Sequence, residues 1–296
     1  MKIYDCFMYY DEDLIIDLRF NILNKYITEF IIVESKFTHS GEKRELLFDI
    51  NKYSMFKKKI NYIVLENEPE NLETIYDKDT PDKKNSKYIM NALKRENFQR
   101  NAITKGLKEI NPDDLILISD VDEIPDLSNL NLNNINDEII LFKQNFYYYK
   151  FNLKLENLPW LGTKACKYKI LKSPQWLRNI KDKKYPFWRL DVLFSDKKYS
   201  NIKFIENGGW HFSNMKSPAD IEKKMKTYLH HREYDINPLG EEKIKQIIKS
   251  KKSIYNLRAD MKSEKFDGTQ NLKPTDGNEL PNYIKENKKK YLNWIE

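Results

Sequence analysis

Cysteine is nearly missing: Cys6 and Cys166 are the only two among 296 residues. Two distant cysteines make neither a disulfide framework nor a zinc site, and leave two free thiols. Eight glycines and 11 prolines are too few for a collagen-like or disordered low-complexity chain. No run of 18 apolar residues occurs, so no membrane-spanning helix is expected. The opening MKIYDCFMYYDEDL lacks the apolar stretch of a signal peptide and meets acidic residues at Asp11. The expectation is a soluble, cytoplasmic protein. Neither sign of charge dominates, since 52 Lys and Arg stand against 45 Asp and Glu for a formal charge of +7. Signs mixed along the chain describe a solvated surface before a polyanion-binding face. No phosphate loop, dinucleotide fingerprint or zinc-spaced Cys/His cluster is present.

What is present is enough apolar material for a large core: 40% hydrophobic residues, with 19 Tyr, 15 Phe and 5 Trp. The length suits about two domains or one large α/β unit. Lys2 to Phe7 reads as a strand, followed by a helix that Asp11 can cap, with Leu14, Ile15, Leu18 and Ile22 at helical spacing. Phe30 to Val33 and Ile60 to Leu65 read as strands, Glu66 to Asn85 as loop and Tyr88 to Ile110 as helix. Leu115 to Ile118 is the strongest buried strand. The alternation predicts a mostly parallel α/β sheet flanked by helices. The later half is less regular. Ile139 to Phe151 forms one long strand or two short ones, and Ser217-Pro218 opens a helix that should reach about His231.

In open α/β sheets ligands gather beyond the carboxyl ends of strands. Leu115 to Ser119 delivers Asp120-Val121-Asp122-Glu123 there. In extended backbone Asp120 and Asp122 point the same way, and two hard carboxylates suit Mg²⁺ or Mn²⁺ with a diphosphate filling other positions. The alternative is a solvated acidic turn. His211, in Gly208-Gly209-Trp210-His211-Phe212, is a candidate third ligand or phosphate contact; its alternative is a structural hydrogen-bonding role.

Five segments now carry a resemblance: Tyr4-Asp5-Cys6-Phe7, Phe30 to Thr38, Ser119 to Pro125, Gly209 to Ser213, and Phe266-Asp267-Gly268-Thr269-Gln270. In this order they resemble glycosyltransferase family 17, the β-1,4-mannosyl-glycoprotein β-1,4-N-acetylglucosaminyltransferase family. The resemblance implies a single GT-A-type catalytic domain over 1–296, with 1–125 as the nucleotide-sugar half and 126–296 as the acceptor side. Animal members carry a membrane anchor and stem, whereas this sequence begins at the catalytic core, which leaves Golgi residence and an N-glycan acceptor without support. Carried over by residue, the family pattern places Tyr9, Tyr10 and Asp11 at the nucleoside. Glu34 and Ser35 end the next strand, where an acid commonly accepts from uracil. Gln99-Arg100-Asn101 precedes the metal strand, with Arg100 offsetting diphosphate charge.

The implied reaction transfers a sugar, N-acetylglucosamine by resemblance, from a UDP-sugar to an oligosaccharide or glycoconjugate hydroxyl with inversion. Asp120, Asp122 and His211 would hold the Mn²⁺ or Mg²⁺. Glu123 and Asp267 are the candidate bases, Asp267 preferred, with a turn-forming Asp-Gly as its alternative. Trp160, Trp188 and Trp210 are candidate acceptor platforms, while Tyr147 to Tyr149 reads as strand packing. Two other classes compete. A metal-dependent phosphohydrolase also uses Asp-x-Asp, but on its first strand rather than near residue 120. A non-catalytic glycan or nucleic-acid binder has no RNA-recognition motif to support it.

Overall fold

The structure, a computed structural model, describes residues 1–128, 130–136, 138–186, 188–228, 231–254 and 270–296. The first part runs β1 (Ile3–Met8), α1 (Asp13–Leu23), β2 (Glu29–Ser35), β3 (Ile60–Leu65), α2 (Pro81–Asn101), β4 (Leu115–Asp120) and β5 (Glu123–Pro125). There follow β6 (Ile139–Tyr148), β7 (Leu153–Lys167), α3 (Pro174–Asn179), α4 (Leu190–Leu193), β8 (Ile202–Ile205) and β9 (Gly209–Ser213). The described chain closes with α5 (Pro218–Thr227), α6 (His231–Ile236), α7 (Glu241–Lys249), β10 (Lys273–Pro274) and α8 (Asn282–Glu286).

One mixed sheet takes strands from both halves, in the order β3-β2-β1-β4-β7-β6-β9-β5, with β8 beside β6 and β10 beside β7. The first four strands are parallel, and β6 is parallel to β8 and β9. The long β7 lies antiparallel between β4 and β6 and joins the halves. This is the expected α/β arrangement of a largely parallel central sheet flanked by helices, consistent with a GT-A-like fold.

Both faces are covered. On β1, Ile3 and Phe7 pack on the α1 side, while Tyr4 and Cys6 pack on the opposite side with Ile31, Val33, Ile116 and Ile118. A strand buried on both faces reads as a continuous apolar run, which is why β2 and β4 were visible in sequence. Cys6 and Cys166 are free and buried, and burial pushes the Cys166 thiol up to about 12.

Element ends differ from expectation for local reasons. The second helix starts at Pro81, within the expected loop, because Thr80 accepts from Lys83 N and Pro81 has no N–H to satisfy. It gives way to a short 3₁₀ turn at Ala102. Asp11 is not the cap of α1: Glu12 holds that position, and the Asp11 carboxylate binds the Lys216 ammonium. Ser217 caps α5 as expected, but that helix ends at Thr227, short of His231. Among the described residues no helix is long and apolar enough to cross a membrane.

Candidate active site

β4 ends at Asp120, and the chain turns through Val121-Asp122 into β5. Arg19 of α1, fully buried, holds this turn from beneath. Its Nε and Nη2 donate to the Asp5 carboxylate at 2.7 and 2.5 Å, and Nη2 also donates to Ser119 Oγ at 2.5 Å. Nη1 donates to the carbonyls of Asp120, Val121 and Glu123 at 3.2, 3.1 and 2.9 Å. Asp5, fully buried on β1, balances the guanidinium charge.

Strand pairing then brings in the imidazole. β5 lies antiparallel to β9 with Glu123 opposite His211, and Phe212 N donates to the Asp122 carbonyl at 2.9 Å. Gly209 makes the approach possible: at φ +127° a Cβ would lie 2.2 Å from Ile124 O. Gly162 on β7 clears space in the same way, since a Cβ there would meet Glu123 Cδ at 2.8 Å. The His211 ring is fixed by stacking on Phe146 (centroids 4.2 Å apart) and leaning on Trp160 (4.9 Å).

Beyond the carboxyl ends of β1 and β4 opens a cavity of about 290 Å³. Tyr9, Tyr10, Glu12, His39, Arg44, Gln99, Asp120, Asp122, Glu123, Trp160, His211 and Lys224 contribute to its wall. Three of its acids, Asp120, Glu123 and Asp122, differ in their partners. Asp120 Oδ1 accepts from Arg100 Nη2 at 3.1 Å, and Oδ2 from Arg178 Nη2 at 3.0 Å. Burial alone would raise its pKa, but the two guanidinium groups hold the carboxyl well below the usual range. Glu123 is almost fully buried and accepts from Asp120 N (2.8 Å), Trp160 Nε1 (2.7 Å) and Arg178 Nη1 (2.7 Å). Asp122 Oδ1 lies 3.6 Å from His211 Nε2, and Oδ2 lies 3.9 Å from Lys224 Nζ. Against the upward pull of burial, those two neighbours keep Asp122 below its ordinary value.

A divalent cation was expected on Asp120, Asp122 and His211. Among the described residues no three of His, Cys, Asp and Glu gather as a metal-holding group. Asp120 is already met by two arginines. Asp122 and His211 do fit as a pair, with an oxygen and a nitrogen donor side by side, and the buried His211 Nδ1 has no hydrogen-bond partner among the described residues. Two protein ligands suit Mg²⁺ or Mn²⁺ that takes its remaining ligands from substrate phosphate and water.

The other expected residues fall into separate places. Tyr9 lines the cavity, its hydroxyl bonded to Asp13 Oδ1 at 2.5 Å. Asp11 faces the neighbouring cleft. Glu34 is fully buried off the cavity wall, where its carboxylate accepts from Arg44 (2.8 Å), Leu47 N (2.8 Å), Phe48 N (3.1 Å) and Tyr62 OH (2.7 Å). Ser35 Oγ accepts from Phe37 N at 3.1 Å, and Asn101 Oδ1 from Gln175 N at 3.0 Å. Arg100 also binds Glu96 and Gln175, besides Asp120. Trp160 is at the cavity; Trp210, one residue before His211, points away and donates to Glu279 O at 2.6 Å. Trp188 is exposed elsewhere, and Tyr147 to Tyr149 are buried in the sheet as expected. Asp267 lies outside the described residues.

Three residues that sequence reading did not single out prove central: Arg19, Arg178 and Lys224. Each is one basic residue among 52, with no local motif. The spacing of Arg19 on the buried stripe of α1, one residue after Leu18, was a usable signal, because a charge on an apolar face requires a buried partner.

The family model of glycosyltransferase family 17 matches residues 1–295. The chain belongs to glycosyltransferase family 17. The family description is that of glycosyltransferases, which accords with that expectation rather than with a phosphohydrolase or a non-catalytic binder. Among curated proteins, the family 17 chain is 27% identical over 115 residues to the human β-1,4-mannosyl-glycoprotein 4-β-N-acetylglucosaminyltransferase, a stretch covering 38% of this chain and 19% of that enzyme. The rat enzyme of the same name matches to the same extent. The match thus spans about a fifth of the length of these relatives.

Proposed function

We propose that the chain transfers N-acetylglucosamine from UDP-N-acetylglucosamine to a glycan hydroxyl, with inversion at the anomeric carbon and the donor seated in the cavity beyond β1 and β4. The family and the names of the two relatives support the reaction class and the sugar. The observation that carries the donor site is the pairing of Asp122 with His211 on the wall of a cavity also lined by Tyr9, Tyr10 and Trp160.

In this reading the acceptor oxygen bonds to the anomeric carbon, and the bond from that carbon to the diphosphate breaks with its electron pair leaving on UDP. The acceptor proton passes to a base. Glu123 fits that role poorly, since its carboxylate is engaged by Arg178, Trp160 and the Asp120 amide. It supports the site as a buttress, and Asp267 remains the candidate base. Asp122 and His211 would hold Mn²⁺ or Mg²⁺, which when bound supplies Lewis-acid neutralisation of the leaving diphosphate. Arg19, Arg100 and Arg178 fix the acidic turn before any substrate arrives, which is the preorganisation such chemistry needs.

The test is a thermal-shift panel of UDP, GDP and CMP with Mn²⁺, Mg²⁺ or EDTA, on wild type and Asp122→Asn. A ligand at about 100 times its dissociation constant adds roughly 2.7 kcal/mol. Stabilisation by UDP with metal, absent in the variant, is expected. A response indifferent to nucleotide, or to metal and Asp122, removes the donor-site assignment.

A further inference from the structure

We propose that the Lys224 ammonium is the protein's own cation for the donor diphosphate, contacting it in the bound state and offsetting the charge that builds on it as the sugar leaves. This rests on the donor-site reading above and adds a residue to it.

The argument starts from how charge is distributed. Of the acids on the cavity wall, Asp120 and Glu123 are matched by Arg100 and Arg178 through direct hydrogen bonds. The charges of those arginines are therefore offset within the protein. Two cationic side chains, Arg44 and Lys224, line the cavity itself. Arg44 donates through Nη2 to the buried Glu34 carboxylate and to the Tyr10 carbonyl and lies over the Tyr10 ring, so its charge is already matched by Glu34. Lys224 makes no side-chain hydrogen bond among the described residues; its nearest acid, Asp122 Oδ2, is 3.9 Å away. A diphosphate adds at least two negative charges to a wall already carrying carboxylates. Among the protein's own cations the one not already matched by a close carboxylate is best placed to meet it at short range, and an ammonium offers three donors.

Position supports the same conclusion. Lys224 sits on α5, whose N-terminus is fixed by Ser217 and whose Ile221 and Met225 are fully buried in a cluster with Tyr234 and Ile244. The side chain keeps 23% of its surface exposed. It lines both the donor cavity and the larger neighbouring cleft, as Asp122 does, so it stands where a donor and an acceptor would meet. When the anomeric carbon–oxygen bond breaks, the electron pair stays on the phosphate oxygen. The ammonium stabilises that charge without giving up its proton.

A merely structural partner of Asp122 predicts the opposite sign. Removing such a partner frees the carboxylate for a cation and strengthens binding of a metal–UDP complex. The experiment is calorimetric titration of UDP and of uridine, at fixed saturating Mn²⁺, into wild type, Lys224→Gln and Lys224→Arg. Lys224→Gln is expected to weaken UDP about tenfold or more, leave uridine unchanged, and lower the rate of UDP release from UDP-N-acetylglucosamine by about 10²-fold. Lys224→Arg should recover most of the UDP affinity. Undiminished or tighter UDP binding by Lys224→Gln overturns the proposal, as does an equal loss for uridine. Wild type that binds no UDP overturns the donor-site reading and this inference with it.

Discussion

Replacing Arg19 by Met tests whether the acidic turn is held from inside the protein. The side chain is fully buried and donates to both oxygens of Asp5, to Ser119 Oγ and to three carbonyls of the 120–123 segment. Methionine fills much of the volume but leaves the Asp5 carboxylate in an apolar layer with no counter-charge. Removing one side of a buried pair costs about 3–5 kcal/mol. That is a large part of the roughly 5–15 kcal/mol that keeps a domain folded. The double variant Arg19→Met, Asp5→Leu removes both charges, and an apolar replacement of a buried pair is often close to neutral. Here it should still cost roughly 1–3 kcal/mol, because the carbonyls of Asp120, Val121 and Glu123 have lost their donor. Arg19→Lys keeps the charge, but three ammonium donors cannot serve six acceptors, so an intermediate loss is expected. Urea unfolding followed by tryptophan fluorescence reads all three, and UDP thermal shifts on the folded variants read the site. A single-variant loss below about 1 kcal/mol, or a double variant that regains full stability and UDP response, refutes the reasoning.

Two further outcomes follow from named contacts. Asp120 has its native pKa depressed by Arg178 and Arg100, so its contribution is complete above the unfolded carboxyl value of about 3.9 and is lost as pH falls through the native value. The difference in urea midpoint between wild type and Arg178→Ala should be widest above about pH 5 and close in stronger acid; a difference constant from pH 7 to 3 contradicts this. Glu34→Gln should lower stability by about 1–3 kcal/mol, since one amide oxygen replaces a carboxylate serving four donors, with UDP affinity unchanged. Calorimetry showing a matching loss of UDP affinity would instead return Glu34 to the nucleoside.

The parallel half was legible because its strands are buried on both faces, and β2 and β4 therefore read as unbroken apolar runs. Asp120 and Asp122 were legible for the same reason: a strong strand that stops at acids points to a sheet edge where ligands bind. β7 was not, because Leu153 to Lys167 mixes charged and apolar residues along a strand that serves as bridge between halves. Nor could spacing show that β5 and β9 pair, although Gly209 marks the contact once the geometry is known. Glu34 illustrates the opposite failure. An acid at a strand end suggested ligand binding, yet the following 47–48 segment and Tyr62 enclose it.

An anion site lined with carboxylates looks unfavourable until the charges are paired. Arg178 lies 3.0 Å from Asp120 and 2.7 Å from Glu123, and Arg100 lies 3.1 Å from the other Asp120 oxygen, so both of these acids are compensated inside the fold. Asp122 also faces the cavity, with an imidazole on one side and an ammonium on the other. On the proposed reading this division of labour has a physical logic. The paired acids and arginines hold the backbone of the turn, and their mutual neutralisation keeps the field at the donor from being strongly negative. The loosely paired Asp122 can turn to a cation, which leaves the neighbouring lysine free for the phosphate. Binding of a metal diphosphate would then exchange one weak ion pair for two stronger ones, and each partner in that exchange can be altered separately, at Asp122 and at Lys224.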